Sequence, residues 1–566
     1  MDNRSIVKIL DHTAILMDLH EETAQKVKSF SNAVFNLERL GRPLVDLTME
    51  ELLGINGVGK GIAAAIDEIR NTGGYQTHSE LIEKTPEGVL ELLAIRGVGA
   101  AKVKTAWKSM DIDSVEKMLE ACENRSIETL KGFGAKTVEN LKGSIKFYLE
   151  NKNKRLISEA RELGNEYTSI LEECAPDAKV SFTGPLRRNM EVVDKISVLL
   201  GSDDRLSYDF ITGKLPQFVP DKNASGPFAV RGKDNSGVEI EILLCGKDEF
   251  DLELFRTTGS EDHFRALEAA NININGLAKE NGAFTEGAFY ERHGMDFVPP
   301  ELREGTFEVA RAKEDKLPNL LKNEDLKGIL HTHSTYSDGA NTLREMAEAC
   351  RDLGYGYLGI ADHSKSAFYY ANGLFEERVI KQHEEIDKLN EEMAPFKIFK
   401  GIESDILTDG SLDYSDDVLA SFDFIVASVH SGLSMEKDRA TARLLRAIDN
   451  PYTTIMGHLT GRVLLQREGF PLDHKLVIDR CAKNKVAIEV NAHPSRLDLD
   501  WRWIHYALEK GVMLSVNPDS HTTEGLKDMK YGVAVARKGG ITAKQTLNAM
   551  TAEEIADFFN KRKQRI

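Results

Sequence analysis

The sequence predicts a multidomain chain that is helical at its N-terminal end, mixed α+β in its middle and an α/β barrel after residue 326. Three observations predict it. A Gly-x-Gly turn recurs three times between helix-like stretches, β-branched runs lie between residues 180 and 244, and seven short apolar runs alternate with amphipathic stretches towards the C-terminus. At 566 residues the chain exceeds what one ordinary core holds. Hydrophobic residues make up 41 % of it. No uninterrupted apolar run approaches the roughly 18 residues of a membrane-spanning helix, so no membrane partner is expected. Arg4, Lys8, Asp11 and His12 interrupt the N-terminal segment, unlike the apolar stretch of a signal peptide, so a cytoplasmic location is expected. Cys122, Cys174, Cys245, Cys350 and Cys481 are scattered without a CxxC pair and fit reduced thiols. A net charge of −18 argues against coating nucleic acid through bulk electrostatics, but not against a local grip on phosphates by backbone amides.

The three turns are Ile55-Asn56-Gly57-Val58-Gly59-Lys60, Ile95-Arg96-Gly97-Val98-Gly99-Ala100 and Leu130-Lys131-Gly132-Phe133-Gly134-Ala135-Lys136. Helix-like stretches flank them, for instance 49–53, 62–69 and 89–94, which makes each a helix-hairpin-helix. Gly57, Gly59, Gly97, Gly99, Gly132 and Gly134 leave N–H groups unobstructed at a helix N-terminus, with Lys60 and Lys136 beside them. The helix dipole there favours an anion such as a DNA phosphate. One such turn usually only joins two helices. Three in one register point to sequence-nonspecific DNA contact, the plainer alternative being an all-helical packing module.

From about residue 152 to 308 the pattern is mixed, with strands expected at 180–183, 196–200 and 238–244. Pro299, Pro300 and the charged run 311–316 read as a linker. Strands are then expected at 327–330, 357–361, 397–402, 424–429, 453–456, 486–490 and 512–516. Most are followed at once by a metal-ligand side chain: His331 and His333, His363, Glu403, His430, His458, then Asp519 and His521, with Asp338 arriving from the first loop. In a β/α barrel these strand ends converge on one face. A single histidine there would more simply be a hydrogen-bonded core residue, and His383, His474 and His505, in helical stretches, are read that way. Six histidines and three acids at strand ends have the chemistry of a metal cluster. Arg462 and Arg496 follow strand ends five and six and are candidates to pair with a substrate phosphate, with His493 near enough to act on a leaving group. Surface salt bridges or a capped loop are the plainer readings of these three.

The motifs His331-Thr332-His333-Ser334, Ser337-Asp338-Gly339, Ala361-Asp362-His363-Ser364 and Gly457-His458 resemble those of the PHP (polymerase and histidinol phosphatase) family across the whole C-terminal domain. The resemblance implies a distorted (β/α)7 barrel holding two or three divalent ions of zinc, manganese or iron. The nine residues from His331 to His521 would be its ligands, with Glu403 bridging two ions. Phosphodiester or phosphomonoester hydrolysis is the expected reaction, because clustered cations acidify a bound water and stabilise phosphoryl charge.

Ahead of it, helix-hairpin-helix, mixed α/β and Thr258-Gly259-Ser260-Glu261-Asp262-His263 resemble a bacterial family X DNA polymerase fused to a PHP exonuclease, over essentially the entire chain. Thr183-Gly184-Pro185-Leu186-Arg187-Arg188 resembles that family's nucleotide-binding Gly-Ser-x-Arg-Arg, and 191–199 the strand that should bear two catalytic aspartates. Here the pattern departs. Pro185 replaces the serine, Lys195 and Ser197 stand where the aspartates belong, and Glu241 stands for a third. Lysine brings positive charge where a cation must sit, which counts against a Mg²⁺ pair in the palm and against nucleotidyl transfer. Asp194, Asp203 and Asp204 are nearby, but a one-residue slip on a strand reverses the face. Ala64-Ala65 likewise occupy the place of a lysine in lyase-active relatives, leaving Lys60.

The expected domains are 1–88 (helical, DNA-binding), 89–150 (a further helix-hairpin-helix, fingers-like), 151–230 (a polymerase-beta-like nucleotidyltransferase palm), 231–310 (remaining palm and thumb), 311–325 (linker) and 326–566 (PHP). The leading expectation is a monomeric, nucleoid-associated DNA-repair enzyme. It would bind gapped, nicked or 3′-ended DNA and act as a 3′–5′ exonuclease, with AP-endonuclease or 3′-phosphatase activity as variants. Two readings compete: an active gap-filling polymerase with a proofreading PHP nuclease, and a DNA-binding scaffold with a PHP phosphatase for small monoesters.

Overall fold

The computed structural model describes residues 3–37, 40, 42–203, 208–235, 237–274 and 284–563. The chain separates into two compact units, 1–152 and 153–566. Among the described residues no helix is long and apolar enough to cross a membrane.

The first unit is helical throughout its described elements, from Asn3–Leu19 to Ala135–Asn151. Its hairpins repeat one backbone device. Gly57, Gly97 and Gly132 adopt φ of 84°, 89° and 92°, the left-handed region that favours glycine. The next residue, Val58, Val98 or Phe133, is buried, and its N–H bonds the carbonyl three residues back, at 3.0, 3.0 and 3.2 Å. A buried apolar side chain thus anchors each turn to the core while the glycines turn the chain into Lys60–Thr72, Ala100–Met110 and Ala135–Asn151. The short entry helix Met49–Leu53 starts at a Thr48–Glu51 capping box.

In the second unit β1 (Arg155–Leu156) pairs with β3 (Val192–Val193). A five-stranded sheet contains β2 (Lys179–Phe182), β4 (Lys195–Gly201), β5 (Phe218–Pro220), β6 (Ala229–Asp234) and β7 (Glu239–Cys245) in the order β2-β4-β7-β6-β5. Only β4 and β7 run parallel. The strand expected at 191–199 is therefore two strands, interrupted at the exposed Asp194. A helical segment follows, from Phe250–Thr258 to Glu308–Lys313, with its own core around Phe255, Leu267, Phe289 and Tyr290.

The stretch expected as a linker is built into the fold. Arg311 lies in the helix Glu308–Lys313, and Leu320 and Leu321 are buried, Leu321 N–H bonding Ile541 O at 2.9 Å. Its charges point outward while its leucines find a core, so a charge run alone does not mark a tether. Further contacts join palm-like sheet to barrel: Glu191 accepts hydrogen bonds from Trp501 Nε1 at 3.0 Å and Arg502 Nη1 at 2.8 Å, and the fully buried Lys538 donates to Arg188 O at 2.8 Å.

Seven parallel strands follow: β8 (Gly328–Thr332), β9 (Tyr357–Ile360), β10 (Lys397–Asp405), β11 (Phe424–Ser428), β12 (Ile455–Met456), β13 (Ala487–Asn491) and β14 (Leu514–Asn517), each hydrogen-bonded to the next in chain order. Helices cover them, so both faces are buried and the strands read as near-continuous apolar runs. The barrel is nearly closed. Between β14 and β8 one backbone bridge, Thr332 to Ser520, closes the rim, with His333 N–H on Ser520 O and Ala340 N–H on His521 O, both 2.8 Å. Asn548 staples the seam further along, donating to Gly328 O at 3.2 Å and accepting from Val516 N at 2.8 Å.

Candidate metal centre

His331 is the penultimate residue of β8 and His333 directly follows the strand, so both imidazoles leave from its C-terminal end. The β8–β9 register shifts between Ile329 and Thr332, and His331 takes φ of +63°. Such an irregularity re-aims a side chain at a barrel rim. Asp519, just beyond β14, is likewise left-handed at φ +50°. Strained non-glycine backbone of this kind collects at functional sites.

Glu403, on β10, sits at the centre. Its Oε1 lies 3.4 Å from His331 Nε2, 3.2 Å from His430 Nε2 and 3.0 Å from His458 Nε2. Its Oε2 lies 3.0 Å from His363 Nδ1 and 3.7 Å from His333 Nε2. Asp519 Oδ1 is 3.0 Å from His333 Nε2, and Asp338 Oδ1 is 3.3 Å from His521 Nε2 and 3.6 Å from His363 Nε2. All nine residues expected from the sequence therefore meet in one cluster. Three overlapping sets could each hold an ion: His333, Asp338, His363 and His521; His331, His333, Glu403 and Asp519; and His363, Glu403 and His430. Among the described residues such sets occur only here.

The residues fit a group of divalent ions on one further observation. Both Glu403 oxygens, His331 Nε2, His333 Nδ1, His363 Nδ1 and both His458 nitrogens are buried and have no hydrogen-bond partner. Buried polar atoms are normally satisfied, and a concentration of imidazole and carboxylate lone pairs is what zinc, manganese or iron binds. The electrostatics are correspondingly strong. Burial opposes charge on His430, but Glu403 and Asp405 lift it to about 10, as Asp338 and Asp519 lift His521 to about 9. Glu403 and Asp519 are held well below the carboxylate range by the imidazoles despite burial. His333, buried beside His521 and His363, falls to about 3.

A supporting shell escaped the sequence reading. Glu489, inside β13, accepts from His331 Nδ1 at 2.6 Å, Asn517 Nδ2 at 2.9 Å, His458 N at 3.0 Å and Asn491 Nδ2 at 3.1 Å. Asp405 holds His430 Nδ1 at 2.5 Å. Asp362, fully buried, accepts from Ser334, Ser337 and Gln382 and so fixes the first loop. These partners set which ring nitrogen faces the cluster. The one sequence signal for Glu489 is a carboxylate within an otherwise apolar strand.

The weaker candidates divide. Arg462 is used up by the loop that follows β13, by Arg496 O at 2.9 Å, Asp500 Oδ2 at 2.6 Å and Leu497 O, so its guanidinium is not turned to a phosphate. Arg496 does reach the cluster, with Nε 3.6 Å from Asp519 Oδ2. His493 Nδ1 pairs with Ser495 Oγ at 2.8 Å.

In the palm-like sheet Ser197 lies beside Glu241, and Glu241 beside Arg231, on adjacent strands. Lys195 Nζ contacts Glu241 Oε2 at 2.9 Å and Arg231 Nε contacts Oε1 at 2.7 Å. Burial would raise the Glu241 carboxyl, but these two cations hold it below its usual value. Gly184 is left-handed at φ +58°, near Ser197, and Pro185 lies in the first turn of Gly184–Arg187. Arg187 forks onto Glu286 at 2.8 and 2.9 Å, and Arg188 binds Glu304 Oε1 at 2.9 Å and Thr258 O at 2.7 Å. Asp194 is exposed and Asp203 accepts from Lys247 N at 3.2 Å; Asp204 lies outside the described residues.

At the hairpins Gly59, Gly99 and Gly134 are the residues preceding their helices, and no side chain caps any of the three. A Cβ at these positions would meet nothing within 4 Å, and Lys60 and Lys136 are exposed beside them. The first-turn N–H groups are thus open to an anion.

Family models agree with this layout: Helix-hairpin-helix domain over residues 1–74, SAM-like Helix-hairpin-helix tandem over 89–146 and PHP domain over 330–493. Fold and site together define a PHP-domain protein with tandem helix-hairpin-helix modules. Across its length the chain is 34 % identical to the DNA polymerase/3′-5′ exonuclease PolX of Bacillus subtilis (strain 168), over 581 aligned residues covering 99 % of this chain and 100 % of that protein. The chain belongs to the PolX family of family X DNA polymerase/3′-5′ exonucleases. Its C-terminal part is also similar to a probable phosphatase of Thermoanaerobacter sp. (strain X514), 24 % identical over 42 % of this chain and 95 % of the relative, and to one of Vibrio atlanticus (strain LGP32), 28 % identical over 35 % and 79 %.

Proposed function

We propose that this chain is a DNA-repair 3′–5′ exonuclease that trims gapped, nicked or 3′-ended DNA at the barrel cluster, and that its palm does not transfer nucleotides. One contrast carries the reading: unsatisfied buried ligand atoms converge on Glu403, whereas the palm's remaining acid, Glu241, is already neutralised by Lys195 and Arg231. Divalent ions bound by the nine residues would acidify an attacking water and stabilise phosphoryl charge. The chain's own residues do the positioning. Glu489 and Asp405 orient His331 and His430, while Arg496, 3.6 Å from Asp519, would meet a phosphate oxygen and His493 would protonate a leaving group. The hairpins hold the DNA backbone through main-chain amides, without sequence preference. The protein acts as a cytoplasmic monomer.

The test is a primed, gapped duplex incubated with Mn²⁺ and deoxynucleotides. The primer should shorten and not grow, and His333→Ala should abolish shortening while leaving DNA binding unchanged. Extension would favour the active-polymerase reading; phosphate release from a small monoester with no change in the primer would favour the phosphatase reading.

A further inference from the structure

At the mouth of the metal cluster, directly after His363, the chain displays aromatic side chains that the fold does not use. Phe368, Tyr369, Tyr370 and Phe375 are 42, 90, 57 and 45 % exposed, four large apolar side chains within eight residues. Phe368, Tyr369 and Phe375 form one patch. Phe368 meets Tyr369 edge-on at 5.5 Å between ring centroids and Phe375 at 5.2 Å. Tyr370, which follows Tyr369 in the same short helix, reaches the cluster: its ring lies 6.5 Å from both His363 and His430 and its hydroxyl donates to Asp405, the carboxylate that holds His430. Scattered single apolar side chains on a surface need no explanation, but a contiguous patch at a site does.

We propose that Phe368 and Tyr369 are a stacking platform for the unpaired nucleobases of a DNA end held at the cluster. This rests on the exonuclease reading. Charge favours bases over phosphates as the occupant: Lys365, the one cation in residues 364–375, is paired with Glu376 at 2.9 Å. A loop without a free cation in a chain of net charge −18 holds a polyanion better by its neutral bases than by its backbone. Any base offers a π-face, so such a platform is tolerant of sequence. Bases inside a duplex are stacked on each other and cannot use it.

The experiment compares kcat/KM for a single-stranded DNA whose last two nucleotides are normal with one in which they are abasic, in the metal-loaded full chain. Stacking on an aromatic side chain makes Tyr369→Ala lose roughly ten- to hundredfold on normal ends. The wild type should lose a similar factor on abasic ends, and the two losses should not add. Tyr369→Phe should retain normal turnover, with metal content equal in all variants. Additive losses, or failure of phenylalanine to rescue, overturn the platform, as does a change in oligomeric state with unaltered turnover, which would mark a self-association face. A wild-type chain that cleaves small phosphate esters but no DNA overturns the exonuclease reading itself and the platform with it.

Discussion

Replacing Glu489 by glutamine tests the cluster through a residue that touches no ion-facing atom. The carboxylate accepts from four donors, His331 Nδ1 and Asn517 Nδ2 on one oxygen, His458 N and Asn491 Nδ2 on the other. An amide of the same shape must turn its own N–H groups towards one of these pairs. On the first side it faces His331 Nδ1 and forces the proton to the other nitrogen, the one aimed at Glu403; on the second it opposes a buried main-chain N–H. Either choice leaves a buried donor unmatched, worth about 1–3 kcal/mol. Losing an outer partner of this type lowers metal affinity about 10–100-fold, which is the same size. Metal affinity measured by competition with a chromogenic chelator should therefore weaken by one to two orders of magnitude. Excess metal should restore exonuclease turnover, and DNA binding should not change. A variant with wild-type affinity and only a lowered melting temperature would refute the reasoning and leave Glu489 as a packing residue.

Three further outcomes are expected. Because His430 and His521 are lifted to about 10 and about 9, both carry protons at pH 7.5 in the metal-free chain. Metal loading should then release more than one proton, seen by calorimetry in buffers of differing ionisation enthalpy, and affinity should rise with pH up to about 10; loading without proton release contradicts the assigned electrostatics. Gly59→Val and Gly99→Val, where a Cβ meets nothing, should fold with a loss of about 1 kcal/mol yet weaken DNA affinity about tenfold, as expected when a charged hydrogen bond worth roughly 1.5–3 kcal/mol is lost. Hydrolysis of a small chromogenic phosphodiester should not change, and equal loss of both activities would mean the glycines only shape the turn. Finally, no nucleotide addition should appear on a gapped primer even when His333→Ala silences the barrel; extension in that variant would mean that Asp194, Asp203 or Glu241 supply the missing metal ligands.

The barrel and its nine cluster residues were legible because all of them but Asp338, which comes from the first loop, lie at or just beyond the C-terminal ends of short apolar strands, and strand ends of a parallel barrel share one face. Glu489, Asp405 and Asp362 were not. They lie within or beside the same strands, where sequence registers a buried charge but not the side chain across the barrel that it faces. Arg462 shows the converse: its position after a strand end was read correctly, but nothing in its neighbourhood reveals that Arg496 O, Leu497 O and Asp500 will consume its donors. The palm departures at Lys195 and Ser197 were visible as residue types. That Lys195 and Arg231 together occupy Glu241 depends on the β4-β7-β6 order, which no local pattern encodes. The charged run 311–316 misled because exposed charge and a packed backbone are compatible.

The weakly joined seam between β8 and β14 gives the cluster a mechanical meaning. His331 and His333 stand on one lip and Asp519 and His521 on the other, and two of the three candidate ion sets draw ligands from both. An ion in either set is a rivet across the place where the hoop of strands has fewest hydrogen bonds of its own. Demetallation then does more than remove a reagent. Asn548, bonded to Gly328 O on one side and Val516 N on the other, still staples the two edges further along the seam, but the rim is left to Thr332 and Ser520, so the protein's grip on its ions and the closure of that rim are linked.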